Sequence, residues 1–503
     1  MTAITPSTTT DSAANTLRER WWLPAGAGAV AGLLAGLLYY ALVTAAAISP
    51  MMSPVPVPSD FLQHLLMSVG AGMLFAFTAG GRVQTLGGGV MWGAVYGLLW
   101  WLAGPMTLFP LLHGESPQWT VSMARAAYPL LPGLVVIYGI ALGTAFLGLR
   151  ALLRGRGRPR LVRSVVMRLL AAGVSGGVAG VLGGIAFGYW MAQVDFYPLV
   201  AGLVRSDDAF VGLLLHILIS IVIGISYGML FQPEIHGLGS SLGWGFAYGM
   251  IWWFLGPLTI MPLLFGDSVQ WSLEAMQGAF PSLIGHVIYG LILGFSHYLL
   301  SRIWAILFID SDPLNREPEG PGTRSLRALG IGTVASIIGG LLFTFVMVGT
   351  NALPIVGMLV GMQSAAVGFA VHMVISALIG MSYGLLFRRE VYNYGSGLAW
   401  GLVYGLIWWF LGPLTIMPLL LGSSLQWELP QIVGSYPSLI GHLVYGAALA
   451  LVYHLLTQRF DPAFRTTEKG RYLVRSAGTP VAALWVLTLV LSVLLPLLAQ
   501  VGR

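Results

Sequence analysis

The sequence contains no cysteine and very little charge: Asp, Glu, Lys and Arg make up 8% of its 503 residues, against roughly 25% in soluble domains. Without thiols there are no disulfides, iron–sulfur clusters or thiolate metal sites, so any metal would depend on the nine His or the carboxylates. The scarcity of charge excludes a soluble enzyme. No ATP-binding glycine loop, HExxH zinc motif, paired intramembrane Asp or Ser-His-Asp set is present either. Enzymatic chemistry and primary active transport therefore find little support. No acid falls in the middle of an apolar run, which speaks against proton- or sodium-coupled transport and for passive or structural roles.

What the chain does have is hydrophobic residues, 57% of the total, with 67 Gly and 28 Pro. Many uncharged runs reach the ~20 residues that cross a bilayer as helix. These features predict an all-α polytopic membrane protein of thirteen spans. The net charge of +6 is a matter of topology rather than of nucleic-acid binding. If the N-terminal side is called side A, only Arg125, Arg205 and Arg503 of the 24 Lys and Arg fall on the opposite side B. By the positive-inside rule side A is cytoplasmic, which places the N-terminus inside and the C-terminus outside a plasma (inner) membrane. The N-terminal segment has no A-x-A cleavage site and reads as a retained signal anchor. Seven arginines between 150 and 168 (Arg150, Arg154, Arg156, Arg158, Arg160, Arg163 and Arg168) are candidates to touch anionic lipid headgroups.

Self-comparison exposes an internal repeat. YGMIWWFLGPLTIMPLLFG (248–266) matches YGLIWWFLGPLTIMPLLLG (404–422) at 17 of 19 positions, and the copy at 96–114 matches the latter at 12 of 19. The expected organisation is a tail (1–22), repeat 1 (23–155), repeat 2 with flanking loops (156–321), repeat 3 (322–460), a linker (461–476) and a final span (477–503). Because each unit has four helices, the repeats are parallel, and a pseudo-threefold bundle is expected.

Each helix of the unit has its own signature. The first carries small-residue rows for close packing: Gly28, Gly32 and Gly36; Gly176, Gly180 and Gly184; and, in the third copy, Ala335 with Gly339. The second carries His216, Ser220 and Tyr227 at i, i+4 and i+11, one helix face, repeated as His372, Ser376 and Tyr383 and, without the phenol, as His64 and Ser68. The third is interrupted by Gly104-Pro105, Gly256-Pro257 and Gly412-Pro413, each followed by a threonine (Thr107, Thr259, Thr415) and preceded by a Trp pair. Proline predicts a kink or break there, with freed carbonyls. The fourth carries His286 with Tyr289 and His442 with Tyr445; repeat 1 has Tyr138, but Val135 where counting back from that tyrosine puts the histidine. His216 and His286 both lie roughly 8–10 Å below the side-B edge, so they can meet.

Three readings of this pattern follow. In the first, the polar groups are only interhelical hydrogen-bond partners in a ligand-free scaffold. In the second, which leads, His64, Ser68, His216, Ser220, Tyr227, Thr259, His286, Tyr289, His372, Ser376, Tyr383, Thr415, His442 and Tyr445 line an outward-facing polar cavity of a permease, channel or small-solute sensor with no cofactor. Since no span holds an acid, a pore is favoured over a gated carrier. In the third, His216 with His286 and His372 with His442 ligate b-type haem in an electron-transfer subunit. A relation to the large haem-copper oxidase subunit is excluded, because the repeated block lacks that family's Gly-His-Pro-Glu ligand context.

The combination of His-x3-Ser-x6-Tyr on the second helix, a Gly/Pro-interrupted third helix and Gly-His near the start of the fourth resembles the YagU-type four-helix bacterial inner-membrane family, a domain of unknown function. Three such units would cover roughly residues 23–457. The resemblance implies helix order and an inner-membrane location. The triplication, the Trp pairs and the last span depart from the single-unit pattern.

Overall fold

The computed structural model describes residues 22–45, 61–112, 114–153, 163–308 and 321–461. Among these, twelve helices are long and apolar enough to cross a membrane and no strand occurs. The chain is an all-α polytopic membrane protein. The helices of repeat 1 are α1 (Trp22–Ala45), α2 (Phe61–Thr78), α3 (Leu86–Leu112) and α4 (Ser122–Leu153). Those of repeat 2 are α5 (Arg163–Gln193), α6 (Ala209–Phe231), α7 (Leu238–Phe265) and α8 (Phe280–Phe308). Repeat 3 contributes α9 (Pro321–Gly349), α10 (Ala365–Phe387), α11 (Tyr394–Leu420) and α12 (Tyr436–Phe460). The expected thirteenth span, the linker before it and nearly all of the N-terminal tail lie outside the described residues.

The chain divides into two compact units, Met1–Arg160 and Leu161–Arg503. The first holds repeat 1 and the second holds repeats 2 and 3. Within every repeat the helices pack in the same order: second against first, first against fourth, fourth against third. The backbones of helices two and three stay farther apart and meet through side chains, as Tyr248 meets Ser226. Large apolar side chains such as Val174, Phe345 and Leu66 remain outside and exposed, a surface suited to lipid acyl chains.

Small residues set the helix spacing. A Cβ placed on Gly176 or Gly180 would strike the backbone of α6 at Gly224 and Ser220, so α5 and α6 touch main chain to main chain. Gly245 and Gly290 oppose each other in the same way between α7 and α8. In lipid no hydrophobic drive separates helix from solvent, so this close approach supplies dispersion contact that bulkier residues would prevent. One expectation is corrected here. In repeat 3 the row facing the second helix is Gly332, Ser336 and Gly340, one residue beyond Ala335 and Gly339; Gly339 instead lies against Tyr445 of α12. A shift of one residue turns a helix by about 100°, which exchanges the two neighbours.

The Gly-Pro pair does not break the third helix. It is absorbed as a π turn at Gly104–Leu108, Gly256–Ile260 and Gly412–Ile416. The carbonyls this turn releases are taken up locally rather than left free for a ligand. Thr259 Oγ1 donates to the Phe254 carbonyl at 2.7 Å, as Thr107 does to Leu102 (2.9 Å) and Thr415 to Phe410 (2.8 Å). Pro262 has no N–H for the Leu258 carbonyl four residues back, and the Gln270 N–H, folding back from the following loop, fills it at 2.8 Å. Gln118 and Gln426 serve Met106 and Leu414 in the same way, opposite Pro110 and Pro418. The recurring Pro, Thr and Gln therefore form one local device that widens a helix without exposing unpaired backbone.

Arg150, the first of the arginines read as headgroup contacts, is used inside the protein. Its guanidinium donates to the Gly80 and Val83 carbonyls at the α2–α3 turn and packs over Phe146. Arg154, Arg156, Arg158 and Arg160 lie outside the described residues.

Candidate functional site

Each repeat encloses its own pocket on side B, between the outer halves of its helices. Two elements make room for it. The π turn widens the third helix, and the glycine contacts that clamp helices one to two and three to four lie deeper, toward side A. In repeat 2 the cavity is about 610 Å3, lined by His216, Ser220, Trp252, Gly256, Pro257, Ser282, His286 and Tyr289 among mainly apolar neighbours. In repeat 3 it is about 400 Å3, with His372, Ser376, Trp408, Gly412, Pro413, Ser438, His442 and Tyr445 at the equivalent positions. In repeat 1 only about 50 Å3 remains, beside His64, Ser68, Trp100 and Tyr138.

The second-helix histidine is fixed by the first helix. His216 Nε2 donates to the Gly184 carbonyl at 2.9 Å, His372 to Gly340 at 2.9 Å and His64 to Gly36 at 3.0 Å. Glycine is needed at the accepting position for a second reason, since a Cβ on Gly184 would overlap the Ser220 side chain. The fourth-helix histidine is fixed by its own helix. His286 Nδ1 donates to the Ser282 carbonyl at 2.8 Å and His442 to Ser438 at 2.8 Å. Tyr289 then ties helix four to helix two through the Ser220 carbonyl (2.7 Å), as Tyr445 does to Ser376 (2.8 Å) and Tyr138 to Ser68 (3.2 Å). These tyrosines form part of each pocket's floor.

Two of the expected lining groups sit elsewhere. Tyr227 shares a helix face with His216 but lies eleven residues on, about 16 Å along the axis at 1.5 Å per residue. It is fully buried in the side-A half, where its hydroxyl donates to the Ser241 carbonyl at 2.8 Å. Tyr383 does the same to Gly397 at 3.4 Å. Thr259 and Thr415 are committed to the π turn and also accept from the Trp271 and Trp427 indoles at 2.9 and 3.0 Å, so neither hydroxyl lines a pocket. A common face places side chains in one direction only; sharing a cavity also requires equal depth.

The position equivalent to His286 in repeat 1 is Leu134, not Val135. A Cβ on Gly97 would meet the Leu134 carbonyl, just as Gly249 opposes His286 and Gly405 opposes His442. Repeat 1 spends one extra residue before Tyr138 and stores it in a π segment, Gly133–Gly139. Counting back from the tyrosine crosses that insertion and lands one residue late. Leu130 likewise stands where Ser282 stands in repeat 2, so two apolar side chains occupy the places of a hydroxyl and an imidazole.

Several site residues were not singled out from sequence. Ser282 and Ser438 carried a usable signal, being one helical turn before each histidine. Phe187 and Phe343 did not. Phe187 packs edge-on against both imidazoles of repeat 2, with ring centroids 5.1 Å from His216 and 4.9 Å from His286; Phe343 stands 5.3 and 4.7 Å from His372 and His442. Gly285 and Gly441 admit those phenyl rings, because any Cβ there would overlap them. His297, also unassigned from sequence, is fully buried in the side-A half, with its two nitrogens 3.1 Å from Ser175 Oγ and 2.9 Å from Gln232 Oε1.

Among the described residues no cluster of three or more His, Asp or Glu is placed to hold a metal.

Comparison of the chain with protein-family models, curated proteins and solved structures finds no match to any of them.

Proposed function

We propose that this integral membrane protein binds small solutes in the pockets of repeats 2 and 3, acting as a permease or as a sensor. The observation that carries the reading is the recurrence, in both repeats, of a cavity of 400 Å3 or more floored by two oriented imidazoles and a tyrosine. That size is within the ~300–1,000 Å3 range of small-molecule sites. A ligand-free scaffold has no use for cavities kept open at equivalent places, since each forfeits packing contact. The glycine contacts in the side-A half leave each pocket blind, which supports a gated carrier or a sensor over an open pore. Tautomer-fixing bonds and a turn that consumes its own freed carbonyls support a preformed site. The charge bias along the sequence supports side B as the outer face, and the resemblance to the YagU-type family supports a bacterial inner membrane.

The cysteine-free chain makes a direct test simple. Ser282→Cys places one thiol in the repeat 2 pocket, and Ser241→Cys places one between α7 and α8 in the clamped half. A small methanethiosulfonate reagent is expected to label the first rapidly and the second hardly at all, while His216→Ala with His372→Ala alters solute binding or flux. Equal labelling of both thiols, or an unlabelled pocket thiol, would sink the proposal.

A further inference from the structure

The hydrogen bonds that orient the histidines also decide what they offer a ligand. A carbonyl can only accept, so the proton of His216 is on Nε2 and that of His286 on Nδ1. In a neutral ring the remaining nitrogen, Nδ1 of His216 and Nε2 of His286, is then an acceptor. Neither of these nitrogens has a hydrogen-bond partner among the described residues, and neither is a sealed polar atom. His372 and His442 repeat both assignments through Gly340 and Ser438.

The rest of the lining narrows the class further. Neither pocket contains Lys or Arg, so nothing there would neutralise a carboxylate or phosphate headgroup. Repeat 3 also lacks a lining carboxylate, and the single one in repeat 2, Asp267, is exposed at the rim, so a buried cation would have no partner beside the imidazoles of either pocket. The rims are apolar and open: Leu199, Ile260 and Leu264 in repeat 2 correspond to Ile355, Ile416 and Leu420 in repeat 3, and all six are exposed. Such a rim is compatible with acyl chains and unfavourable for a hydrated polar solute.

We infer that the ligand is an uncharged amphiphile of the bilayer, an alcohol or phenol whose hydroxyl donates to the bare Nε2 of the fourth-helix histidine while its apolar body fills the cavity. This inference rests on the solute-binding reading above and names its ligand class. Phe187 and Phe343, each packed against both imidazoles of its repeat, supply the apolar surface against which such a body would lie.

The test uses the full chain in lipid nanodiscs, with 4-nonylphenol and its methyl ether 4-nonylanisole as probes. The ether replaces the donor hydrogen with a methyl group and is otherwise the same molecule. The phenol is expected to bind saturably and to shift the acceptor-nitrogen resonances of 15N-labelled His286 and His442. The ether is expected to bind about tenfold more weakly or less, the scale of one hydrogen bond. His286→Phe with His442→Phe should remove the discrimination while the melting transition shows the protein still folded. Equal affinities for phenol and ether would overturn the donor assignment and leave the solute-binding reading standing. Saturable binding of neither probe, together with an unlabelled thiol in Ser282→Cys, would overturn both.

Discussion

Repeats 1 and 2 share nearly every landmark and differ most in their side-B halves. Both use a glycine to receive the second-helix imidazole, a π turn after the Trp pair, and a tyrosine tying helix four to helix two. Yet repeat 2 holds about 610 Å3 of cavity and repeat 1 about 50 Å3. On the fourth helix, Leu130 and Leu134 stand in place of Ser282 and His286, and a one-residue insertion is taken up as π helix, so repeat 1 lacks that hydroxyl and that imidazole. The clamped halves thus act as a shared chassis within the chain, and the polar groups offered by the fourth helix are what varies on it.

That comparison can be tested from its strongest element down. Gly93→Leu in repeat 1 and Gly245→Leu in repeat 2 each drive a side chain into facing backbone, at Gly139 and Gly290. Both should destabilise by about 3 kcal/mol or more, read as detergent melting, and should do so alike. A large effect in one repeat only would refute the shared chassis. Next, Ser282→Leu with His286→Leu should give the repeat 2 pocket the apolar fourth-helix lining of repeat 1. Preference for the phenol over its ether in that repeat would be lost while melting stays near wild type, and retained preference would show that the hydroxyl is read elsewhere.

Smaller effects probe the shared local devices. Thr259→Val leaves the Phe254 carbonyl and the Trp271 indole without their hydroxyl partner, at about 1–3 kcal/mol; Thr107→Val should cost less, because Trp119 is 73% exposed and water can replace the bond. Tyr289→Phe and Tyr138→Phe should each cost about 0.6 kcal/mol, the average for a hydrogen bond between membrane helices, and thermal shifts would show whether the two differ.

The smallest effect concerns a feature of the connection between α6 and α7 that repeat 1, with Gln84 at the equivalent place, lacks. There His236 lies 3.5 Å from the buried Glu390, a carboxylate at the end of α10. Glu390 holds this imidazole above its usual range against the opposing effect of burial. A raised folded-state value means the stabilisation is fully present below the unfolded histidine pKa and is lost as pH rises through the folded one. With the imidazole half-exposed, a few tenths of a kcal/mol is expected. Melting should therefore fall slightly more between about pH 6 and about pH 8.5 in wild type than in His236→Gln; parallel pH profiles would remove the pair from the account.

How much of this was legible beforehand follows from the physics of each signal. Span positions follow from apolar run length, and helix pairing was foreshadowed by the small-residue rows, though in repeat 3 the row read first was one residue early. The histidine pair was found because equal depth can be counted from a helix start. Tyr227 was misplaced because angular position is periodic in sequence while depth is not. Leu134 was missed because the one-residue insertion before Tyr138 gives the chain no outward sign until a π segment forms. Thr259 stands out in the sequence after its Gly-Pro pair, but its partner, the Phe254 carbonyl, becomes needy only once the helix has widened.

Residue order alone exposed the thrice-repeated pattern, and composition with run length determined that the chain is a helical membrane protein, because ~20 apolar residues without charge have one economical conformation in lipid, with every backbone group bonded within its own segment. Tertiary structure decided where the cavities lie and which nitrogen each histidine turns toward them. Those outcomes depend on which carbonyl of a neighbouring helix, or of the preceding turn, comes within reach of the imidazole, and a distance between helices is written in no single segment.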